Sequence, residues 1–398
     1  MPEYLVPDVY VEEVPGGARP IEAVGTSTAG FVGVAPVSTP QNLNKPTAIS
    51  NWSQFLRLFA GDGAQSTPLS NAVFGFFQNG GSRCYVVNVG QGNPISGGTK
   101  PTGLDVLKQV DEVAIVAAPG YSDAASYEAL LSHCESLADR VAIADAPQIV
   151  TDISQLTQVA TASSGNKADD KKADQSGKTG LRARQSDNGY GAYYFPWITI
   201  RDPLNPSQVI DTAPSGHIAG VWARTDATRG VHKAPANEIV RGALDITYPL
   251  TRDEQAVLNP AGVNCIRLFG REGIRVWGAR TLAASASEWR YLNVRRLFNM
   301  IRESIALSTR WIVFEPNDYT LWKSIRRDIS AFLTGLWRNG ALMGRTPEEA
   351  FFVKCDQETN PPDVIDAGMV VTMIGIAPVK PAEFIIFRIS QSRVGSGS

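Results

Sequence analysis

The chain has 398 residues, with 37 Lys and Arg set against 39 Asp and Glu for a formal net charge of −2. Near neutrality argues against a surface built to attract nucleic acid or anionic membrane, and it weakens repulsion between copies of the chain. Hydrophobic residues at 43% and charged residues at 19% describe a globular protein with a real core, long enough for two domains or one large domain with an insertion.

The four cysteines, Cys84, Cys134, Cys265 and Cys355, lie far apart with no CxxC pair. Neither a zinc site nor a disulfide framework is expected, and a reducing compartment fits. Glu3, Asp8, Glu12 and Glu13 crowd the N-terminus, which has neither the basic nor the apolar region of a signal peptide. No apolar run approaches the ~18 residues of a membrane span, so no direct membrane insertion is expected.

In chain order, Tyr4 to Val14 reads as an extended arm. Pro2, Pro7 and Pro15 disfavour helix, Val9-Tyr10-Val11 is a short strand run, and Gly16-Gly17 makes a joint. A strand is predicted over Ala29 to Val34, helices over Trp52 to Phe59 and Leu69 to Gln78, and a buried strand over Cys84 to Val89. Gly90 to Gly103 is a loop. Glu112 to Ala118 is a strand, Asp123 caps a helix running to about Ala138, and Val141 to Ala144 is a strand. That order predicts a parallel α/β unit. Thr161 to Gly189 is polar, with Lys167, Asp169, Asp170, Lys171, Lys172 and Asp174 close together; it reads as a surface insertion that cannot bury enough area to fold by itself. An aromatic strand is predicted over Tyr193 to Ile198, a helix over Ala286 to Leu307, a strand over Trp311 to Phe314, and a helix over Thr320 to Asn339. Met369 to Ile376 and Phe384 to Ile389 are the last predicted strands.

Several runs carry a resemblance. They include Pro7 to Glu13, Pro214-Ser215-Gly216-His217-Ile218-Ala219-Gly220, Lys233 to Asn237, and Arg275 to Leu282. Further on stand Trp289-Arg290-Tyr291, Asn293 to Leu297, Phe314-Glu315-Pro316-Asn317-Asp318, Thr346 to Val353, and Pro381-Ala382-Glu383-Phe384. In these runs the chain resembles the tail sheath proteins of contractile phages, R-type pyocins and extracellular contractile injection systems. The resemblance is dense in the second half and weaker in the first.

The resemblance implies a mixed α/β subunit of a helical homopolymer wound around an inner tube protein, with baseplate and terminal cap proteins as further partners. It implies extended N- and C-terminal arms that add strands to neighbouring subunits. The expected division is an arm over 1–20, an outer α/β domain over 21–255 carrying the insertion at 161–189, an inner tube-facing domain over 256–378, and a strand arm over 379–398. Assembly in the bacterial host cytoplasm, into a phage tail or tail-like particle, follows from the same likeness.

The residues themselves bear on these expectations. Phe384, Ile385, Ile386, Phe387 and Ile389 form a strand apolar on both faces, an aggregation hazard unless a sheet receives it. That sheet is either the subunit's own or a neighbour's. In the helix from Thr320, a spacing of ~100° per residue puts Trp322, Ile325, Ile329, Phe332, Leu333 and Leu336 on one side and Lys323, Arg326 and Arg327 on the other. The basic side is either a solvated face or a docking stripe for an acidic tube surface. Arg–aromatic neighbours, such as Trp277 with Arg275 and Arg280, or Trp289-Arg290-Tyr291, suit interfaces or a charged rim around a core.

Enzyme readings fail on spacing. Gly177-Lys178-Thr179 has Lys172 where a phosphate-binding loop needs glycine. No serine stands in a G-x-S-x-G elbow, and His133, His217 and His232 lack metal-ligand spacing. No catalytic residue, cofactor or metal is expected. A nucleic-acid role for the basic helix finds no support in the net charge.

Overall fold

The computed structural model describes residues 20–97, 100–161 and 180–386. The elements in order are β1 (Ala29–Gly33), β2 (Thr47–Ile49), α1 (Trp52–Phe59), α2 (Pro68–Gln78), β3 (Cys84–Asn88), α3 (Leu104–Leu107), β4 (Ile115–Ala117), α4 (Ala124–Leu137), β5 (Val141–Asp145), β6 (Gly191–Phe195), β7 (Ile198–Arg201) and β8 (Val209–Thr212). There follow α5 (Ser215–Arg229), β9 (Glu238–Ile239), β10 (Ala243–Ile246), α6 (Arg252–Leu258), β11 (Val263–Phe269), β12 (Gly273–Trp277), α7 (Leu292–Ser308), α8 (Tyr319–Arg338), α9 (Pro347–Ala350), β13 (Phe351–Lys354), α10 (Pro362–Asp366) and β14 (Met373–Ile376).

The chain forms two compact units. One holds Val24–Ile301 and the residues from Pro378 onward; the other holds Arg302–Ala377 with the described residues before Val24. The sequence placed a boundary near residue 255. Residues 256–301 instead belong with the larger unit, because β11 pairs parallel to β6, Val263 opposite Tyr193, and β12 pairs antiparallel to β11.

The larger unit is built on a nine-stranded sheet of order β2-β3-β1-β4-β5-β6-β11-β12-β9. Its middle, from β3 to β11, is parallel. Both faces of the sheet are covered, as a parallel sheet requires. Successive side chains alternate between the faces. Phe31, Ile115, Ile143 and Tyr194 join the core under Phe76 of α2 and Trp222 of α5. Val32, Val116 and Ala142 turn the other way, toward Leu107 of α3 and Leu130 and Cys134 of α4. The sheet's edges are short: β2 has 3 residues and β9 has 2.

The Pro214–Gly220 run opens α5 and explains its glycines. A Cβ at Gly216 would collide with the Ala72 backbone, and one at Gly220 with the Phe76 carbonyl. Helices α2 and α5 therefore meet backbone to backbone, with the His217 ring lying over Gly75.

Four local expectations change. The aromatic run is not one strand: β6 ends at Phe195 in the large sheet, and β7 starts at Ile198 in a separate three-stranded sheet of order β10-β7-β8. Pro196 between them has no N–H to give to a ladder. Trp311–Phe314 is not a strand; Arg310–Ile312 is a 3-10 turn and Phe314 has φ 71°, outside any strand conformation. The helix expected from Ala286 begins at Leu292. Before it Glu288–Arg290 forms a 3-10 turn, and Tyr291 bridges to Arg280. The polar stretch is shorter than 161–189. Residues 162–179 lie outside the described residues, but Arg182 bridges to Val159, Ala183 and Ser186 are buried, and Arg184 pairs with Glu128 and Glu135 of α4.

In the smaller unit Asp318 caps α8, accepting from the Leu321 N–H at 2.8 Å. The helix buries Leu321, Trp322, Ile325, Ile329 and Leu333. β13 and β14 pair antiparallel as a sheet of their own.

Candidate assembly surfaces

The basic face of α8 forms as the periodicity predicts. Lys323 and Arg327 are exposed, and Arg326 is half-buried on the same side. The three differ in partners. Arg327 Nε donates to Asp328 Oδ1 at 2.9 Å, and the Asp328 side chain is only 6% exposed. Among the described residues, Lys323 and Arg326 have no ion-pair partner. Tyr319, 64% exposed, lies one turn before Lys323 on that face.

The C-terminal segment differs from the strand expected over Phe384 to Ile389: its described residues, 384–386, are coil. Phe384, Ile385 and Ile386 are 73%, 73% and 79% exposed, and no strand pairs with them among the described residues. Phe387 and Ile389, like Val9, Tyr10 and Val11 of the N-terminal arm, lie outside the described residues. The residue before this apolar run is held firmly. The Glu383 carboxylate accepts from Arg280 Nε at 2.8 Å, Arg280 Nη2 at 2.7 Å, Asn259 Nδ2 at 2.8 Å and the Tyr291 hydroxyl at 3.3 Å. Burial alone would raise its pKa, but these donors, Arg280 first, hold it below the usual carboxylate range. In the smaller unit, the β13–β14 pair leaves both outer edges without a strand among the described residues, and exposes Phe352 and Met373.

These features can be set beside known proteins. The family described as phage tail sheath protein central domain matches residues 103–282, and phage tail sheath C-terminal domain matches residues 284–392. The helical sheath of the anti-feeding prophage in its contracted state is 30% identical, with a TM-score of 0.75, covering 97% of this chain and 99% of that one. The chain belongs to the contractile tail sheath family.

The contracted sheath complex of the extracellular contractile injection system PVC is 28% identical with a TM-score of 0.75, again over 98% of this chain and 99% of its own. The tail sheath protein of Vibrio phage KVP40 is 31% identical over 174 residues, 43% of this chain and 25% of the phage protein. This sheath-family chain thus spans well under half the length of the curated phage relatives it matches, such as 42% of that of Salmonella phage ViI.

Within the family frame, the Arg–aromatic neighbours split. Arg290 stacks on Tyr291 at 4.5 Å, and Arg295 on Trp289 at 4.1 Å. Arg275 instead pairs with Glu272, while Trp277 packs on Phe269 at 4.6 Å. Sequence reasoning missed a buried and a partly buried ion pair, each between residues distant in the chain. Arg296 Nη1 donates to Asp226 Oδ1 at 2.9 Å with both side chains nearly inaccessible, and Arg280 pairs with Glu383. Arg280 and Glu383 each stood in a family-like run; nothing in the sequence joined them across 103 positions.

Two of the histidines, His133 and His217, lie in the interior. Among the described residues, both ring nitrogens of His133 and of His217 are buried without a hydrogen-bond partner. Burial pushes His217 down to about 4. Ser215 donates its N–H at 2.8 Å and its Oγ–H at 2.6 Å to Asp145, not to a histidine. Burial pushes that carboxyl up to about 7. The Asp145–Ser215 contact ties the end of β5 to the start of α5. No group of acidic, cysteine or histidine side chains that could hold a metal ion occurs among the described residues, and no described helix is long and apolar enough to cross a membrane.

Proposed function

We propose that the chain is a structural sheath subunit. It polymerises as helical rings around an inner tube and contracts to drive that tube into a target, without acting as an enzyme and without a cofactor. The observation that carries this reading is the exposed run Phe384–Ile386, directly beyond the anchored Glu383, in a chain 30% identical to a helical sheath. Such a run suits strand addition to another copy. The open edges of β13 and β14 are the receiving surface that suits it, since a lone two-stranded sheet gains most from a further strand.

A donated strand contributes a few backbone hydrogen bonds at ~1 kcal/mol net each. Burying each large apolar side chain adds ~2 kcal/mol. Repeated in every subunit, these links let the array rearrange while staying connected. Contraction then draws on a metastable extended lattice that relaxes to one burying more surface.

On this reading, the unit of Arg302–Ala377 faces the tube through Lys323, Arg326 and Arg327. Exposed ion pairs contribute about 0–1 kcal/mol each and are screened by salt. Weak pairs suit a sheath that must release its tube. Baseplate and terminal cap proteins bound the polymer, and assembly takes place in the bacterial host cytoplasm.

A chain ending at Glu383 tests the arm. It should fold, with an unchanged far-ultraviolet spectrum, and yield no regular sheath by electron microscopy. Long, ordered sheaths from that chain would refute the reading.

A further inference from the structure

Residues 379–386 form no regular secondary structure, yet the first part of this segment is held and, among the described residues, the last part is not. Asn293 Nδ2 donates to the Val379 carbonyl at 3.0 Å. Glu383 then takes the four hydrogen bonds described above. Arg280 is fixed independently of Glu383: its N–H donates to Asn264 Oδ1 at 2.7 Å and its Nη1 to the Asn259 carbonyl at 3.2 Å. The Arg280 side chain is 8% exposed. Arg280 follows β12, Asn259 ends α6 and Tyr291 precedes α7, so every partner belongs to the larger unit. One residue later, Phe384 is 73% exposed.

We propose that Glu383 is the anchor of the C-terminal arm. Bound to Arg280, Asn259 and Tyr291, it sets the point where the chain leaves its own body, gives residues from 384 onward to a second copy of this chain, and delivers any pull on the arm to the nine-stranded sheet beside β12. The proposal rests on the arm reading above.

Three physical points support it. A two-pronged Arg–carboxylate pair fixes direction as well as position. A strand held at its root has less freedom to lose when it pairs with a neighbour. Without the anchor, the next fixed point toward the N-terminus is Val379, and the extra four residues of slack span roughly 13 Å. A lattice that must move in register cannot tolerate slack of that size at every joint.

The test uses the full chain with a nitroxide label on Ala382→Cys, an exposed position; the four native cysteines are all buried and should not react. In the Glu383→Gln background the label should move roughly tenfold faster, toward the nanosecond motion of a free terminus. Electron microscopy should show polymers with irregular ring spacing. A label as rigid as in the parent, or polymers of parental order, would overturn the proposal.

The chain ending at Glu383 keeps the anchor and loses the arm, so the two ideas separate. Regular sheaths from that truncation remove the arm reading, and with it the assignment of the anchor to a neighbour. Failed sheaths from the truncation with normal sheaths from Glu383→Gln remove the anchor alone. Should Glu383→Gln fail to fold, Asn259→Ala removes one donor and leaves the ion pair. It should loosen the label by a smaller factor, and no loosening would count against the proposal.

Discussion

Reversing the charge of the α8 stripe separates docking from folding, provided the right residues are chosen. Lys323→Glu with Arg326→Glu alters two cations that have no ion-pair partner among the described residues. Arg327 is left alone, because reversing it would set a second carboxylate beside Asp328, whose side chain is 6% exposed. Exposed pairs contribute up to ~1 kcal/mol each, so losing two attractions costs at most ~2 kcal/mol per subunit, and new repulsion against an acidic tube up to about as much again. That corresponds to a drop in tube affinity of up to roughly several hundred-fold per subunit. The subunit's own stability should change by no more than ~0.5 kcal/mol. The assay counts extended, tube-filled particles by electron microscopy at rising salt. The parent should lose tube occupancy as ionic strength shortens the Debye length below ~8 Å, while the variant should start low and respond little. Parental numbers of extended particles from the double variant would show that the stripe is only a solvated face.

Two further predictions concern the interior. Gly216→Ala puts a methyl group against the Ala72 backbone, so it should destabilise by ~1–3 kcal/mol or more and lower the melting temperature. His217, held down to about 4 by burial, stays neutral in the fold and charges in the unfolded chain below its ordinary 6.5. Its contribution is therefore complete above pH ~6.5 and is lost as pH falls toward 4, by about 3 kcal/mol in all. Asp145, pushed up to about 7, acts in the opposite sense and loses stability as pH rises from ~4 to 7. Comparing denaturant midpoints of the parent and His217→Leu across pH 4–8 isolates the histidine. A constant difference over that range would refute the assignment.

Much of the architecture was legible because local signals agreed with tertiary demand. The helix over Trp52 to Phe59 and the Asp123 cap appear where periodicity and cap chemistry put them. The parallel order of β4 and β5 follows from the intervening helix. The misplaced elements share one cause: apolar composition was read without the ladder. Trp311–Phe314 has strand-like residues but no partner strand, and its backbone turns instead. Tyr193–Ile198 has strand residues throughout, but Pro196 divides it between two sheets. The domain boundary failed for a non-local reason, since only the pairing of β11 with β6 ties residues 263–277 to a sheet begun at residue 29. For the candidate surfaces, helical spacing located the α8 stripe, and it could not show that Arg327 is already engaged. Nor could it join Arg280 to Glu383, because a salt bridge between distant residues leaves no periodic trace.

The short outer strands of the large sheet have a consequence for a molecule that works only in crowds. A long, flat rim would let any two copies zip together in whatever alignment they first met. With 3 residues at one rim and 2 at the other, such accidental unions gain few hydrogen bonds and come apart. Misassembly is thus discouraged by what the subunit withholds, and lasting attachment is left to the few places where a strand is offered.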